Sequence, residues 1–304
     1  MKAILISELN KLAKHPEKLI LSDENAYADR ISKVARKIYL EREERPVVLI
    51  SGPSGSGKTT SATRIQRVLS ENGCTTHTIS MDNYFLPLCE TEKARDENGN
   101  IDFESPMRLD IPLFREHIEK LFNCEEIDIP GFDFARQERI KGMPLKRNKG
   151  DLVILEGIHA LNPLVTGDSD SFTNCVYVSV RTRLSDKNGK TLHPSKIRLM
   201  RRLMRDKLYR GRSLAETFEF FKSVERGENL YIMPFKHRAN FDIDTFIGYE
   251  PLVYRDILLP DLENISSTYE GYGEFADIER FLKQLSGIDR RFVPENSLIR
   301  EFIG

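Results

Sequence analysis

The chain has 304 residues, of which 39% are hydrophobic and 31% are charged, so it can bury a core beneath a charged surface. Its formal net charge of −1 gives no overall attraction to nucleic acid or to an anionic membrane surface, so neither partner is expected. Its four cysteines lack CxxC or zinc-ligand spacing, and no apolar run approaches the ~20 residues of a membrane span, so a cytoplasmic protein with reduced thiols is expected.

The first segment, residues 1–45, is predicted to be an N-terminal helical extension. Apolar side chains recur in it at helical spacing, with charged residues between them. Asp23 is a candidate N-cap for the second of its helices, and Pro46 ends the segment. The rest of the chain, residues 46–304, is expected to form one domain.

Short apolar segments alternate with helical patterns through residues 46–304. The predicted strands are residues 47–50, 74–81, 125–134, 152–157, 174–180 and 241–247, with a small hairpin within 138–151. The predicted helices are residues 59–72, 110–122, 194–209, 213–232 and 274–285. This alternation predicts an α/β fold with a parallel sheet covered by helices on both faces. Ligands of such sheets collect at the carboxyl ends of the strands.

The glycine-rich loop "GPSGSGKTT", residues 52–60, lies between the first apolar strand and a helix. It satisfies the pattern G-x-x-x-x-G-K-[ST], whose backbone N–H groups cradle phosphates at a helix N-terminus. Lys58 is expected to reach the β- and γ-phosphates, Thr59 to bind Mg²⁺, and Thr60 to hold the α-phosphate. The other loop residues expected to bind a nucleotide are Gly52, Ser54, Gly55, Ser56 and Gly57. The loop predicts binding of a nucleoside triphosphate.

Two acidic residues follow other predicted strands. Asp82, after "TTHTISM", is placed to accept a proton from an attacking hydroxyl and to position Mg²⁺, although a turn-capping role stays open. Glu156 ends "LVILE", where a Walker B acid holds the magnesium shell. Both residues are therefore predicted to face the phosphates bound by the glycine loop.

A strongly basic stretch, "RLMRRLMRDKLYRGR" at residues 198–212, contains seven arginine or lysine residues with leucines interleaved. A nucleic-acid patch and a solvated charged face are the alternatives. The favoured hypothesis is a lid, about residues 193–235, that brings arginines onto the transferring phosphoryl group and excludes water.

These motifs resemble one known family as a set. "GPSGSGKTT", "SMDNYF", "DFESP", "IPGFDFARQER", "VILEGIHAL" and "RRLMRDKLYRGR" occur in the order and spacing of the phosphoribulokinase/uridine kinase family, over about residues 46–250. The similarity is strongest to its bacterial uridine kinase-like nucleoside kinases. The resemblance implies a P-loop NTPase fold with a kinase domain at 46–304, ATP as donor, Mg²⁺ as cofactor, and a primary hydroxyl as acceptor.

The resemblance also implies site residues. Asp82 matches the family's catalytic carboxylate and Glu156 its magnesium-linked acid. Catalytic roles are implied for Lys58 and for the lid arginines Arg202, Arg210 and Arg212. Substrate contacts are expected from Asp82, Tyr84, Glu104, Phe132, Gln137 and Arg139.

Several of these positions depart from the family pattern. Glu104 stands where the family has an aspartate that binds ribose hydroxyls. Phe132 and Gln137 replace a tyrosine and a histidine that read a pyrimidine, and Phe220 replaces a glutamine. The phosphate-binding residues are thus retained, whereas the base-reading residues are largely replaced.

Three readings of the function follow. The leading one is transfer of the ATP γ-phosphoryl group to the 5′-hydroxyl of a nucleoside such as uridine or cytidine. The second is a kinase for another small hydroxyl compound, such as a sugar, a sugar phosphate or a pantothenate-like acid. The third is a nucleotide-binding module without kinase turnover. A small-molecule substrate is the expected partner, and homo-oligomerisation and the choice of ATP or GTP stay open.

Overall fold

The computed structural model describes residues 3–304. The strands are β1 (Ala3–Leu5), β2 (Val47–Ser51), β3 (Thr76–Ser80), β4 (Glu126–Asp133), β5 (Glu138–Lys146), β6 (Leu152–Glu156), β7 (Thr173–Ser179), β8 (Arg183–Ser185), β9 (Thr191–Leu192) and β10 (Phe241–Asp244). The helices are α1 (Ile6–Leu12), α2 (Pro16–Leu40), α3 (Lys58–Glu71), α4 (Ile111–Phe122), α5 (Pro163–Thr166), α6 (Pro194–Tyr209), α7 (Leu214–Tyr231), α8 (Glu250–Ile265), α9 (Ala276–Leu282) and α10 (Arg300–Ile303).

The central sheet has five parallel strands in the order β10-β7-β2-β6-β3. Its register places Ile50 and Ser80 opposite Glu156 on either side of β6. The carboxyl ends of β2, β3 and β6 therefore lie at one edge, where loops that follow parallel strands build sites.

Both faces of this sheet are buried under helices, as predicted. Val48 and Ile50 belong to a core shared with α2, α3, α6 and α8, whereas Val47 and Leu49 belong to a second core that includes α4. Successive residues of a strand point to opposite faces, so the continuous apolar run of β2 reflects burial on both sides.

The N-terminal segment packs into the first of these cores. β1 pairs in parallel with β8, and α2 lies against α3, where the Tyr27 hydroxyl hydrogen-bonds Ser61 Oγ at 2.8 Å. Asp23 is not an N-cap, because α2 runs without a break from Pro16. Its carboxylate instead accepts a hydrogen bond from the Tyr249 N–H at 3.0 Å, and burial raises its pKa to about 6.

The prediction of a separate hairpin within residues 138–151 is wrong, because this segment pairs with another strand. β5 is one long strand that pairs antiparallel with β4, so the predicted strand 125–134 forms the other arm. The turn between them places Gln137 at φ 56°, in the left-handed region. The two arms form a two-stranded ribbon outside the central sheet.

The sequence pattern did not indicate α8. This helix contains Pro260 and buries side chains around most of its circumference, including Leu252, Tyr254 and Leu258. A helix that is apolar on several sides lacks the single stripe from which helices are predicted.

Candidate active site

The glycine-rich loop connects β2 to α3, which begins at Lys58. Gly55 and Gly57 have φ of 74° and 80°, a conformation that side chains with a Cβ rarely adopt. A Cβ on Gly52 would lie 2.0 Å from the Val178 carbonyl oxygen, so the loop is packed directly against β7. The Ser56 N–H donates to the Pro53 carbonyl at 3.1 Å, so it is engaged within the loop, contrary to the expectation that it faces a phosphate.

A cavity of about 370 Å³ opens over this loop. The loop contributes Ser54, Gly55, Gly57, Lys58 and Thr59 to its lining. Four acidic residues also line it, namely Asp82, Glu104, Glu156 and Glu301. Glu301 comes from the C-terminal helix α10 and had no signal in the sequence. The cavity therefore joins the phosphate-binding loop to carboxylates from four separate parts of the chain.

Asp82 and Lys58 face the same cavity, as the motifs predicted. Asp82 lies in the single helical turn after β3, where its N–H donates to Ser80 Oγ at 3.3 Å. Burial raises the pKa of its carboxyl, Lys58 opposes that rise, and Glu156 adds to it. Asp82 is therefore close enough to both residues to respond to their charges.

The donors expected to hold Mg²⁺ also lie together. Thr59 Oγ1 donates to Glu156 Oε1 at 3.3 Å, and Asp82 lines the same cavity. Mg²⁺ binds through one or two carboxylates while keeping phosphate and water ligands, so a hydroxyl and two carboxylates fit this ion. Among residues 3–304 there is no group of three or more His, Cys, Asp or Glu with the geometry of an all-protein metal site.

Glu104 is held in the wall of the cavity by close packing. Its N–H donates to Asp102 Oδ1 at 3.1 Å, and a Cβ on Gly227 of α7 would lie 2.2 Å from the Glu104 Cβ. Burial is the main reason that the pKa of Glu104 rises to about 7, and Arg202 partly offsets it. Gly227 was not noticed in the sequence, although a glycine inside a helix often marks close approach.

Aromatic rings flank Glu104. Phe85, Phe103 and Phe134 line the cavity, and the last two are each 52% exposed. Phe132 does not line it but packs behind them, with ring centroids 5.0 Å from Phe134 and 5.8 Å from Phe85. Phe132 was the predicted substrate contact, but its neighbours Phe85, Phe103 and Phe134 line the cavity instead.

Three other predicted substrate residues lie outside the cavity lining. Tyr84 is fully buried, and its hydroxyl hydrogen-bonds His117 Nδ1 at 2.9 Å beneath the site. Gln137 accepts a hydrogen bond from Arg108 at 3.3 Å. Arg139 forms an ion pair with Asp110 at 2.7 Å. Direct contact by Tyr84 is therefore a wrong expectation, since its side chain supports the floor of the site.

The arginines of α6 divide into two groups. Arg201 and Arg198 are buried and bind Glu250 and Glu228, and both donate to carbonyl oxygens of the glycine loop. Arg202, Arg205 and Arg210 line the cavity. Arg212 does not, and it lies 4.7 Å from the Phe220 ring centroid.

Asp206 lies at the centre of this second group of arginines. It is fully buried and lies 3.5 to 3.8 Å from the guanidinium groups of Arg202, Arg205, Arg210 and Arg212. Burial lowers the pKa of Arg202, and it lowers that of Arg205 to about 10. One carboxylate is thus shared by four guanidinium groups, so Asp206 compensates only part of their positive charge. The single Asp in a run of arginines was the available signal, but its central position depends on the fold.

The predicted lid, residues 193–235, contains α6 and α7. α6 is anchored by the ion pairs of Arg198 and Arg201, whereas most of the junction at 209–213 is exposed. Closure over the cavity stays a prediction.

Within residues 3–304, no helix is long and apolar enough to cross a membrane.

The sequence comparisons with known proteins show one family. A sequence model of the Phosphoribulokinase / Uridine kinase family matches residues 47–247. The uridine kinase of Lactobacillus helveticus (strain DPC 4571) is 30% identical over 224 residues, covering 73% of this chain and 96% of its own. The uridine kinase of Borrelia duttonii (strain Ly) is 32% identical over 203 residues, covering 65% and 85%. A solved structure described as a possible uridine kinase from Bacillus stearothermophilus covers 71% of this chain and 98% of its own, with 19% identity and a TM-score of 0.47.

Proposed function

The chain belongs to the phosphoribulokinase/uridine kinase family, and we propose that it transfers the γ-phosphoryl group of ATP to the 5′-hydroxyl of a nucleoside of the uridine or cytidine type. One observation carries the proposal: Asp82 and Lys58 line the same cavity over the glycine loop. A buried carboxylate opposite a phosphate-binding lysine is the arrangement that phosphoryl transfer to a hydroxyl needs.

Asp82 acts as the general base in this proposal. The acceptor oxygen forms a bond to the γ-phosphorus while the bond from that phosphorus to the β–γ bridging oxygen breaks. The acceptor's hydroxyl proton passes to the Asp82 carboxylate. Because burial raises the pKa of Asp82, its carboxylate accepts a proton more readily than an exposed one.

Charge on the phosphates is opposed from two sides. Lys58 contacts the donor from the loop, and Arg202 and Arg205 line the same cavity from α6. Thr59, Glu156 and Asp82 would hold Mg²⁺, which, when bound, neutralises phosphate charge and polarises the γ-phosphoryl group. Preorganised positive groups in a partly closed cavity stabilise the charge that develops as the phosphoryl group moves.

The acceptor is assigned to the end of the cavity that holds Glu104. Its carboxylate has room to accept hydrogen bonds from two sugar hydroxyls. The exposed faces of Phe103 and Phe134 offer an apolar surface to a planar base. A ribonucleoside combines these two features in one small molecule.

A second candidate is a kinase for another small hydroxyl compound. Gln137 lies outside the cavity lining, bound to Arg108, so no amide from that position reads the edge of a base. A sugar or a pantothenate-like acid would still meet Glu104 and Asp82. This alternative differs from the first only in the part of the substrate that would cover the rings of Phe103 and Phe134.

A panel of acceptors separates the candidates. Purified protein with Mg-ATP is given uridine, cytidine, purine nucleosides, a set of sugars and sugar phosphates, and pantothenate, and ADP formation is followed. We expect turnover with a pyrimidine nucleoside and a product phosphorylated at the 5′-position. Turnover with a sugar or pantothenate, and with no nucleoside, would replace the proposal by the second candidate. ATP binding without turnover on any acceptor would favour a nucleotide-binding module.

A further inference from the structure

The C-terminal segment, residues 297–304, forms one wall of the glycine-loop cavity. Leu298, Ile299 and Phe302 are fully buried, and a Cβ on Gly57 would lie 2.8 Å from Leu298 Cδ1. The Arg201 guanidinium lies 5.2 Å from the Phe302 ring centroid. These contacts fix the backbone of the segment beside the loop, so it is a permanent part of the site.

One side chain of this wall, Glu301, points at the nucleotide-binding residues. Glu301 lines the cavity, and its Oε2 accepts a hydrogen bond of 2.6 Å from Thr60 Oγ1. Thr60 is the residue assigned to the donor's α-phosphate. An acidic side chain therefore already holds a hydroxyl that the proposed function gives to a phosphate oxygen.

The hydroxyl of Thr60 has a single hydrogen to donate. An ionised carboxylate and a phosphate oxygen are both acceptors only, so the hydroxyl can satisfy one of them at a time. With Thr60 bound to the α-phosphate, the Glu301 carboxylate loses its partner and lies next to a second negative charge. Like charges at this range oppose each other strongly in a partly buried site.

We propose that Glu301 determines nucleotide affinity by competing with the α-phosphate for the hydrogen bond that the Thr60 hydroxyl donates. This inference rests on the proposed function, because it requires a nucleotide on the glycine loop. ATP and ADP both carry the α-phosphate, so Glu301 weakens the binding of donor and product alike. It thereby speeds the release of ADP after transfer. Glu301 lies outside residues 47–247, the part of the chain matched to the family.

The test measures nucleotide binding without an acceptor. Dissociation constants of Mg-ATP and Mg-ADP are measured by calorimetry for the wild type and for Glu301→Gln. We expect about tenfold tighter binding of both nucleotides by the variant, because a neutral amide removes the repulsion and can donate to the phosphate. Glu295→Gln is the matched control, since Glu295 is an exposed acid two residues before the terminal segment, and its constants should equal those of the wild type.

Other results would overturn the inference. Unchanged or weaker binding by Glu301→Gln, with a normal wild type, would show that Glu301 is inert or is itself a nucleotide ligand. Tightening of ATP alone would place the effect away from the α-phosphate. In a Thr60→Ala background, Glu301→Gln should increase nucleotide affinity by a smaller factor. An equal increase in affinity would contradict competition for the Thr60 hydroxyl. Failure of the wild type to bind either nucleotide would instead remove the proposed function together with this inference.

Discussion

Breaking the buried ion pair between Arg201 and Glu250 by removing one charge should strongly destabilise the fold. Both side chains have no exposed surface, and Arg201 donates to Glu250 at 2.5 and 2.9 Å. Arg201 also donates to the Gly55 carbonyl at 3.0 Å and to the Thr245 carbonyl at 2.7 Å. One guanidinium thus ties α6 to α8, to the loop after β10 and to the glycine loop.

Glu250→Gln would leave the Arg201 guanidinium buried without a negative partner. Breaking a buried pair in this way costs about 3–5 kcal/mol in the free energy of unfolding. Domains are typically stable by only about 5–15 kcal/mol, so this loss is a large share of the total. Burial opposes the charge on Arg201, and Glu250 is the main group that raises its pKa above the ordinary value.

Urea unfolding followed by circular dichroism measures this loss. The control is Glu71→Gln, which breaks an exposed pair with Arg67 and should change stability by less than about 1 kcal/mol. The apolar double variant Arg201→Met with Glu250→Leu should recover much of the stability lost by Glu250→Gln. A loss below about 1 kcal/mol for Glu250→Gln would refute the reasoning, because it would mean that the guanidinium is not desolvated.

Three further predictions concern the cavity. Because the pKa of Glu104 is about 7 in the folded protein and lower in the unfolded chain, its carboxyl lowers stability as pH rises from about 4.5 to above 7. Glu104→Gln should therefore raise the melting temperature at pH 8 more than at pH 4.5. A larger increase at pH 4.5 than at pH 8 would contradict the burial of the Glu104 carboxyl. Tyr84→Phe should lower the free energy of unfolding by about 1–3 kcal/mol, because His117 loses a buried hydrogen-bond partner, and the acceptor KM should stay the same. A raised acceptor KM would show that Tyr84 contacts the substrate. Gly227→Ala should displace Glu104 and lower the acceptor kcat/KM by up to about 10²-fold with ATP affinity unchanged. An unchanged acceptor kcat/KM would show that Glu104 does not contact the acceptor.

Local patterns were sufficient to predict that Lys58, Asp82 and Glu156 meet at the glycine loop. The strand, glycine loop and helix are consecutive in the chain, so Lys58 and Thr59 follow from one motif. Glu156 ends β6 and Asp82 follows the end of β3 by two residues, and the parallel register brings them to the same edge. Their meeting could be predicted because a parallel sheet aligns the carboxyl ends of its strands.

The rest of the site depends on contacts between distant parts of the chain. Glu301 reaches Thr60 across 241 positions, and Gly227 meets Glu104 only because α7 crosses the loop after β3. The role of Arg201 was also hidden, since its partner Glu250 begins a helix that was not predicted. Side chains that receive their role from packing have no periodic or motif signal in the sequence.

The central claim is that Asp82 takes the acceptor proton beside a nucleotide held by the glycine loop. The most direct measurement compares wild type and Asp82→Asn with an accepted nucleoside in single-turnover transfer of γ-labelled phosphate, alongside the dissociation constant of ATP. The account predicts a transfer rate at least about 10²-fold lower in a variant that still binds ATP. An unchanged transfer rate in Asp82→Asn would contradict it.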